Sequence, residues 1–434
     1  MLMFKERQIT FGSYGHFLNH TQVFSPDGRW IAYDTRNDDS QIGSTGSIEM
    51  VNVDDGEVRL LYETQNQTSF GPGVGAVAFS PVQNRVVFIH GIRNANQTQP
   101  YGFTRRTGVA IDIDHPQRAI FLDARDIRPP FTAGALRGGT HAHSWSGDGE
   151  MICCTYNDFV MEQAEKFSQH VKDLRSIAVM FPEPVAVPQD ETLENHSGEM
   201  FSVLMAKVTE QPKKGSDEID KAFDECWLGT NGYLKADGSR QEKAIAFQGN
   251  VRTADGAVKT EVFVVDLPAD LTKANAGRPL EGTENSRPNV PKGLCQRRLT
   301  YHGKGVQGPR HWLRSSPDGA WIYFLSKDPA GFINVFAVST FDESVKQISH
   351  HQFNIQSGIN LSPSGDHIAY VANQQVFITH IISGMPQALS HANAEQPIIG
   401  PVMWSPDGKM LTFNRFVKQQ EGNFIQIFLL MTES

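Results

Sequence analysis

The chain has 434 residues, 39% hydrophobic and 20% charged, with a formal net charge of −9 at pH 7. This is an ordinary soluble, globular composition, and the negative balance argues against a nucleic-acid binder, which would carry a basic surface. No stretch approaches the ~18 apolar residues of a membrane span, so no membrane partner is expected.

The start, MLMFKERQITFGSYGHF, has no apolar run before charged and strand-like residues appear. No secretory signal is read there, and the cytoplasm is the expected compartment. Residues 6–12, ERQITFG, form the first strand-like stretch. A unit then recurs: FSPDGRWIAYDT (24–35), FSPVQNRVVFIH (79–90), WSGDGEMICCTY (145–156), SSPDGAWIYFLS (315–326), LSPSGDHIAYVA (361–372) and WSPDGKMLTFNR (404–415). Each is a short strand, a Pro/Asp/Gly turn whose glycine supplies a positive φ, and a second strand rich in β-branched and aromatic residues. Two further strands follow the first unit, at 47–53 and 57–64, and the 315–326 unit, at 333–340 and 345–351. Four antiparallel strands per unit are the grammar of a propeller blade. The repeat serines Ser316, Ser362 and Ser405 stand 46 and then 43 residues apart, which suits such blades.

After the third unit, Val160, Ala164, Phe167, Val171 and Leu174 recur at helical spacing behind an Asn157 or Asp158 N-cap. They predict a helix over 158–174 whose apolar stripe packs on the propeller rim at the channel mouth. The long interval before Ser316 has room for a degenerate fourth blade, built from 201–208, 243–250, 260–267 and 295–302. Its insertions fall at about 209–242, with a short helix over 216–227, and at about 268–294, a Pro-, Gly- and Asn-rich exposed loop. The last unit shows only three strands, ending at 424–432, and 6–12 supplies the fourth, leaving no bare sheet edge. The chain therefore reads as one all-β domain over 1–434, a seven-bladed β-propeller closed by its terminal strands. Cys153, Cys154, Cys226 and Cys295 lack zinc-like spacing and fit reduced, buried thiols.

Function in such a fold sits on loops at one mouth of the channel. The loops leading into the inner strands, 12–20, 65–75, 129–143, 302–311 and 350–358, contain no acid, and neither does 92–108. Only 190–199, read as leading into blade four, is strongly acidic. Gly- and Asn-rich turns lacking acids for their own reasons would give the same pattern. The functional reading is a mouth selective for an anionic or sugar-like ligand, because a low-dielectric cleft focuses its potential. Its candidate residues are Arg93, Arg105, Arg106, Arg137, His141, His143, Arg310 and His311. His141 and His143 alternate along a strand, so one divalent ion could take both, with His311, His196 or His20 completing the set. Alternatively, one imidazole bonds a neighbouring blade.

The SPDG-type units resemble those of TolB-type propellers over nearly the whole chain. The long third-to-fourth blade region is similar to that of the YidR-like enterobacterial proteins of unknown function. A fainter resemblance is to the oligogalacturonate lyases, seven-bladed propellers in which an HxH pair leads into an SPDG-like turn. That resemblance implies a divalent metal, manganese or zinc, held by three histidines and a glutamine, and a lyase acting on uronate-containing sugars. His141 and His143 match the pair, but Gly138 stands where the family has its glutamine, and His311 departs from the family's order. The expected activity is thus binding of a small anionic or carbohydrate ligand or a protein partner. A metal-dependent lyase and a protein-interaction scaffold are the alternatives. No GxSxG elbow or complete phosphate loop is present.

Overall fold

The computed structural model describes residues 4–168, 170–188 and 191–432. Among the described residues seven antiparallel blade sheets follow one another around a ring, six of four strands and blade one of three, with a two-stranded ribbon, Tyr233–Leu234 paired with Arg240–Gln241, in blade four. The repeat turns show why the same short sequence starts nearly every blade. Ser25 Oγ donates to Asp27 (2.5 Å) and accepts from the Trp30 amide (3.0 Å), while Gly28 takes a φ of 70°. Ser146, Ser316 and Ser405 repeat this with Asp148, Asp318 and Asp407. The serine closes the hairpin that carries the chain from inner to second strand.

Closure is as the sequence implies. Phe4–Gln8 pairs antiparallel with Gly422–Thr432 as the outer strand of blade seven, Glu6 opposite Leu430. A bidentate pair joins Glu6 to the buried Arg415 at 2.7 and 3.2 Å, and Ile9 enters the core between blades seven and one. The hydrophobic clusters lie between successive sheets, so each blade buries its faces against both neighbours.

The fourth blade departs from expectation. Phe201–Leu204 pairs with Ser176–Phe181 and is the outer strand of blade three. The inner strand of blade four is Ala222–Trp227, within the segment read as a short helix inside an insertion. Its pairing with Ala244–Arg252, and the burial of Ile219 and Ala222 against blade three, override the charged, helix-like local composition. Residues 191–199 consequently do not lead into blade four. They bridge to blade two, where Arg125 pairs with His196 and Asp123 with Met200.

The predicted 158–174 helix is confined to Phe159–Glu165. Asp158 caps it, accepting from the amides of Val160 and Met161, but Met161 is its buried residue and Phe167 is 92% exposed. The expected apolar stripe does not form. The 268–294 segment is irregular as expected, yet Leu271, Leu280, Val290 and Leu294 are buried, and its Thr283 carbonyl accepts from Arg137 of blade three (2.6 Å). No helix among the described residues is long and apolar enough to cross a membrane.

Candidate functional site

The inner strands share a local distortion that shapes the channel. In Gly138–Trp145, Ala142 and His143 stand opposite the single residue Cys154, and Ala142 has a φ of 58°. Comparable register shifts, with positive φ at Ala76, Asp224 and Gly400, occur in the inner strands of blades two, four and seven. Such bulges break the strict alternation of side chains. In five blades the fourth residue ahead of the repeat serine, namely Ala76, Ala142, Trp312, Gly358 or Pro401, borders one cavity of about 670 Å³ at the mouth.

Across the middle, the channel is bridged by hydrogen bonds between distant blades. Arg314 of blade five donates to the His20 carbonyl (2.9 Å). Gln22 exchanges two bonds of 2.9 Å with the backbone of Trp145. These struts divide the mouth cavity from a smaller one, about 400 Å³, on the side of the repeat turns.

Four arginines border the mouth cavity: Arg36, Arg106, Arg175 and Arg310. Arg36 is neutralised by Asp34 (3.0 Å) and Asp39 (3.3 Å), and Arg310 pairs with Asp224 (3.0 Å). Arg106 and Arg175 have no ion-pair partner among the described residues. Arg106 is 3% exposed and donates through Nη1 to the Tyr101 hydroxyl (3.0 Å), while its Nε and Nη2 are buried without a partner. Arg175 bonds through Nε to Asn157 (3.3 Å). Burial, then the charges of Arg106 and Arg310, lowers its pKa. Both guanidinium carbons lie near the Phe103 ring, at 4.9 and 5.4 Å from its centre. His141 shares this surrounding: burial first, then Arg106, Arg175 and Arg310, holds it neutral, and its Nδ1 is buried without a partner. On the facing wall His20 stacks on Trp312 with ring centres 3.4 Å apart, and Arg310 lies over the same indole at 4.4 Å.

The other sequence candidates lie elsewhere. His143 is fully buried against blade two, where a β-carbon at Gly108 would come within 2.8 Å of its Nε2. His196 bonds Thr107 (3.1 Å) and packs on Phe121, and Arg93 lies over the same ring at 5.1 Å. Both nitrogens of His311 are occupied: Nδ1 donates to the Pro309 carbonyl (2.8 Å) and Nε2 accepts from the Leu325 amide (3.0 Å). Arg105 is paired with Glu194, and Arg137 with Asp158 at 2.7 Å. Of the sequence candidates, Arg106, His141, Arg310 and His20 meet at the cavity. Arg36 and Arg175 were missed, although they flank the second-to-third strand loops of blades one and three as Arg106 does in blade two. Comparing those loops across all blades would have found them.

Residues 73–196 match a family described as protein of unknown function (DUF3748). The chain is 36% identical over 416 residues to the uncharacterized protein YidR of Escherichia coli (strain K12), with 94% of each chain covered. The chain belongs to the YidR family. Among solved structures it is similar to an oligogalacturonate lyase in complex with manganese, with a TM-score of 0.53, 10% identity, and 100% and 99% of the two chains covered. A TolB-like protein of Agrobacterium tumefaciens matches with a TM-score of 0.40 and 15% identity, over 90% of this chain and 98% of that one. At these identities the likeness is one of fold.

That lyase's manganese poses a test for the histidines here, and the set His141, His143, His196 and His311 does not fit such an ion. The bulge at Ala142 leaves His141 at the cavity and puts His143 between blades, while His311 spends both nitrogens on backbone. Among the described residues no group of three His, Cys, Asp or Glu side chains is arranged to hold a metal.

Proposed function

We propose that this protein binds a small organic anion in the mouth cavity of its propeller. The observation that carries the reading is Arg106, a buried guanidinium on the cavity wall with two unpartnered N–H groups and no carboxylate. A buried cation left unpaired costs several kcal/mol, and an anion in the cavity would offset that cost. Arg175 adds a second charge without an ion pair, and Phe103 and Tyr101 on the cavity border offer apolar surface to the ligand. Loss of the metal donor set removes support from the metal-dependent lyase, and no step through a metal is derived.

The test is isothermal titration of the purified protein with phosphate, citrate and galacturonate, using neutral galactose as the control. At least one anion should bind, more weakly as salt rises, and Arg106→Met should weaken it about tenfold or more. Binding of galactose equal to that of galacturonate, or no binding of any anion, would refute the reading.

A further inference from the structure

Resting on that anion-binding reading, we infer that the ligand's head group is a phosphate monoester, carrying two negative charges on one compact centre. The argument is one of matching charges and donors. Two guanidinium groups at the cavity, Arg106 and Arg175, make no ion pair among the described residues, although the charge of Asp224 reaches Arg175, whereas Arg36 and Arg310 pair directly with a carboxylate. A single carboxylate would compensate one and leave the other unpaired in a partly dry site. A dianion compensates both.

The donors point the same way. Nε and Nη2 of Arg106 form the side edge of the guanidinium, two parallel N–H groups at the spacing of two oxygens of one carboxylate or phosphate. Both lack a partner but are sealed from the cavity, so an anion meets them as the guanidinium turns towards it, and Arg175 has only its Nε committed. A phosphate offers three oxygens to this set, one more than a carboxylate. Both guanidinium carbons lie near one ring, Phe103, at 4.9 and 5.4 Å from its centre, so the two charges are close enough for one compact dianion to compensate both. His141, neutral and with a free Nδ1, borders the same cavity and adds a hydrogen bond without adding charge. The ester group would lie towards the stacked His20 and Trp312.

Phenyl phosphate and phenyl sulfate test the charge, because they share shape and apolar group but differ by one negative charge at pH 7.5. Phthalate supplies the two-carboxylate comparison. By isothermal titration phenyl phosphate should bind about tenfold or more tighter than either. Its advantage over the sulfate should shrink at pH 5, where the phosphate, with a second pKa near 6, has become a monoanion. Arg175→Met should bring the two affinities together at pH 7.5, with an unchanged melting temperature reporting an intact fold. Equal binding of phosphate and sulfate that still depends on Arg106 would overturn the phosphate assignment and leave the anion site standing. Tighter binding of phthalate would do the same. No binding of any of the three, together with no binding of phosphate, citrate or galacturonate, would overturn both readings.

Discussion

Replacing Glu225 by glutamine should stabilise this protein, by an amount that grows with pH. Glu225 lies on the inner strand of blade four, 1% exposed, with Oε2 accepting from the Thr155 hydroxyl (2.9 Å) and Oε1 buried without a partner. Burial pushes its pKa from 4.5 up to about 8. Between those values the unfolded chain has released this proton and the folded chain has kept it, so stability falls as pH rises. At about 1.36 kcal/mol per pH unit, the whole interval costs about 4–5 kcal/mol. The amide of Glu225→Gln is neutral in both states, has nearly the same shape and can still accept from Thr155. The variant should therefore match the parent within about 1 kcal/mol at pH 5 and exceed it by about 3–4 kcal/mol at pH 8. Equilibrium urea unfolding of both proteins at pH 5, 6.5 and 8 measures this, and titrations common to the two cancel in the difference. A difference that stays constant with pH, or a variant less stable at pH 8, would refute the reasoning.

Removing the Glu6 carboxylate with Glu6→Gln leaves the buried Arg415 without its partner. Because Glu6 is itself 28% exposed, the loss should be about 1–3 kcal/mol by urea unfolding. Deleting residues 1–12 bares the edge of the Gly422–Thr432 strand and should lower the melting temperature and promote aggregation in sedimentation, whereas unchanged values would contradict strand closure. His311→Ala removes the acceptor of the Leu325 amide and should cost about 1–3 kcal/mol, while His141→Ala should weaken anion binding with a smaller stability loss. On the acid side the sign reverses: burial lowers the pKa values of His16, His90 and His311 to about 4 and of His143 and His196 to about 3. The unfolded chain takes up protons first below pH 6.5, so unfolding midpoints should fall steadily from there towards pH 4.

The repeat made the propeller legible because Ser, Asp and Gly at fixed spacing close the same hairpin through side-chain and backbone bonds a few residues long. Blade seven's missing strand was readable, since an unpaired edge demands a partner and 6–12 resembles the other outer strands, although the strand that pairs is Phe4–Gln8. Blade four was not, because Ala222–Trp227 has no such turn ahead of its second strand. It becomes a strand only by pairing with Ala244–Arg252 and burying Ile219 and Ala222 against blade three. The same limit applied at the site. Acid-free loops pointed to the mouth where the larger cavity lies, and Arg106, His141 and Arg310, singled out there, border it. What separated them from Arg105, Arg137, His143 and His311 was the partner each side chain meets from another part of the chain: Glu194, Asp158, the strand holding Gly108, and the Leu325 amide. A positive φ at Ala142 turned an apparent HxH pair into one cavity residue and one core residue. Local sequence determined the repeat turns, the strands that flank them and the number of blades. Long-range pairing and packing decided which charges are neutralised inside the protein and which stand at the cavity without an ion-pair partner.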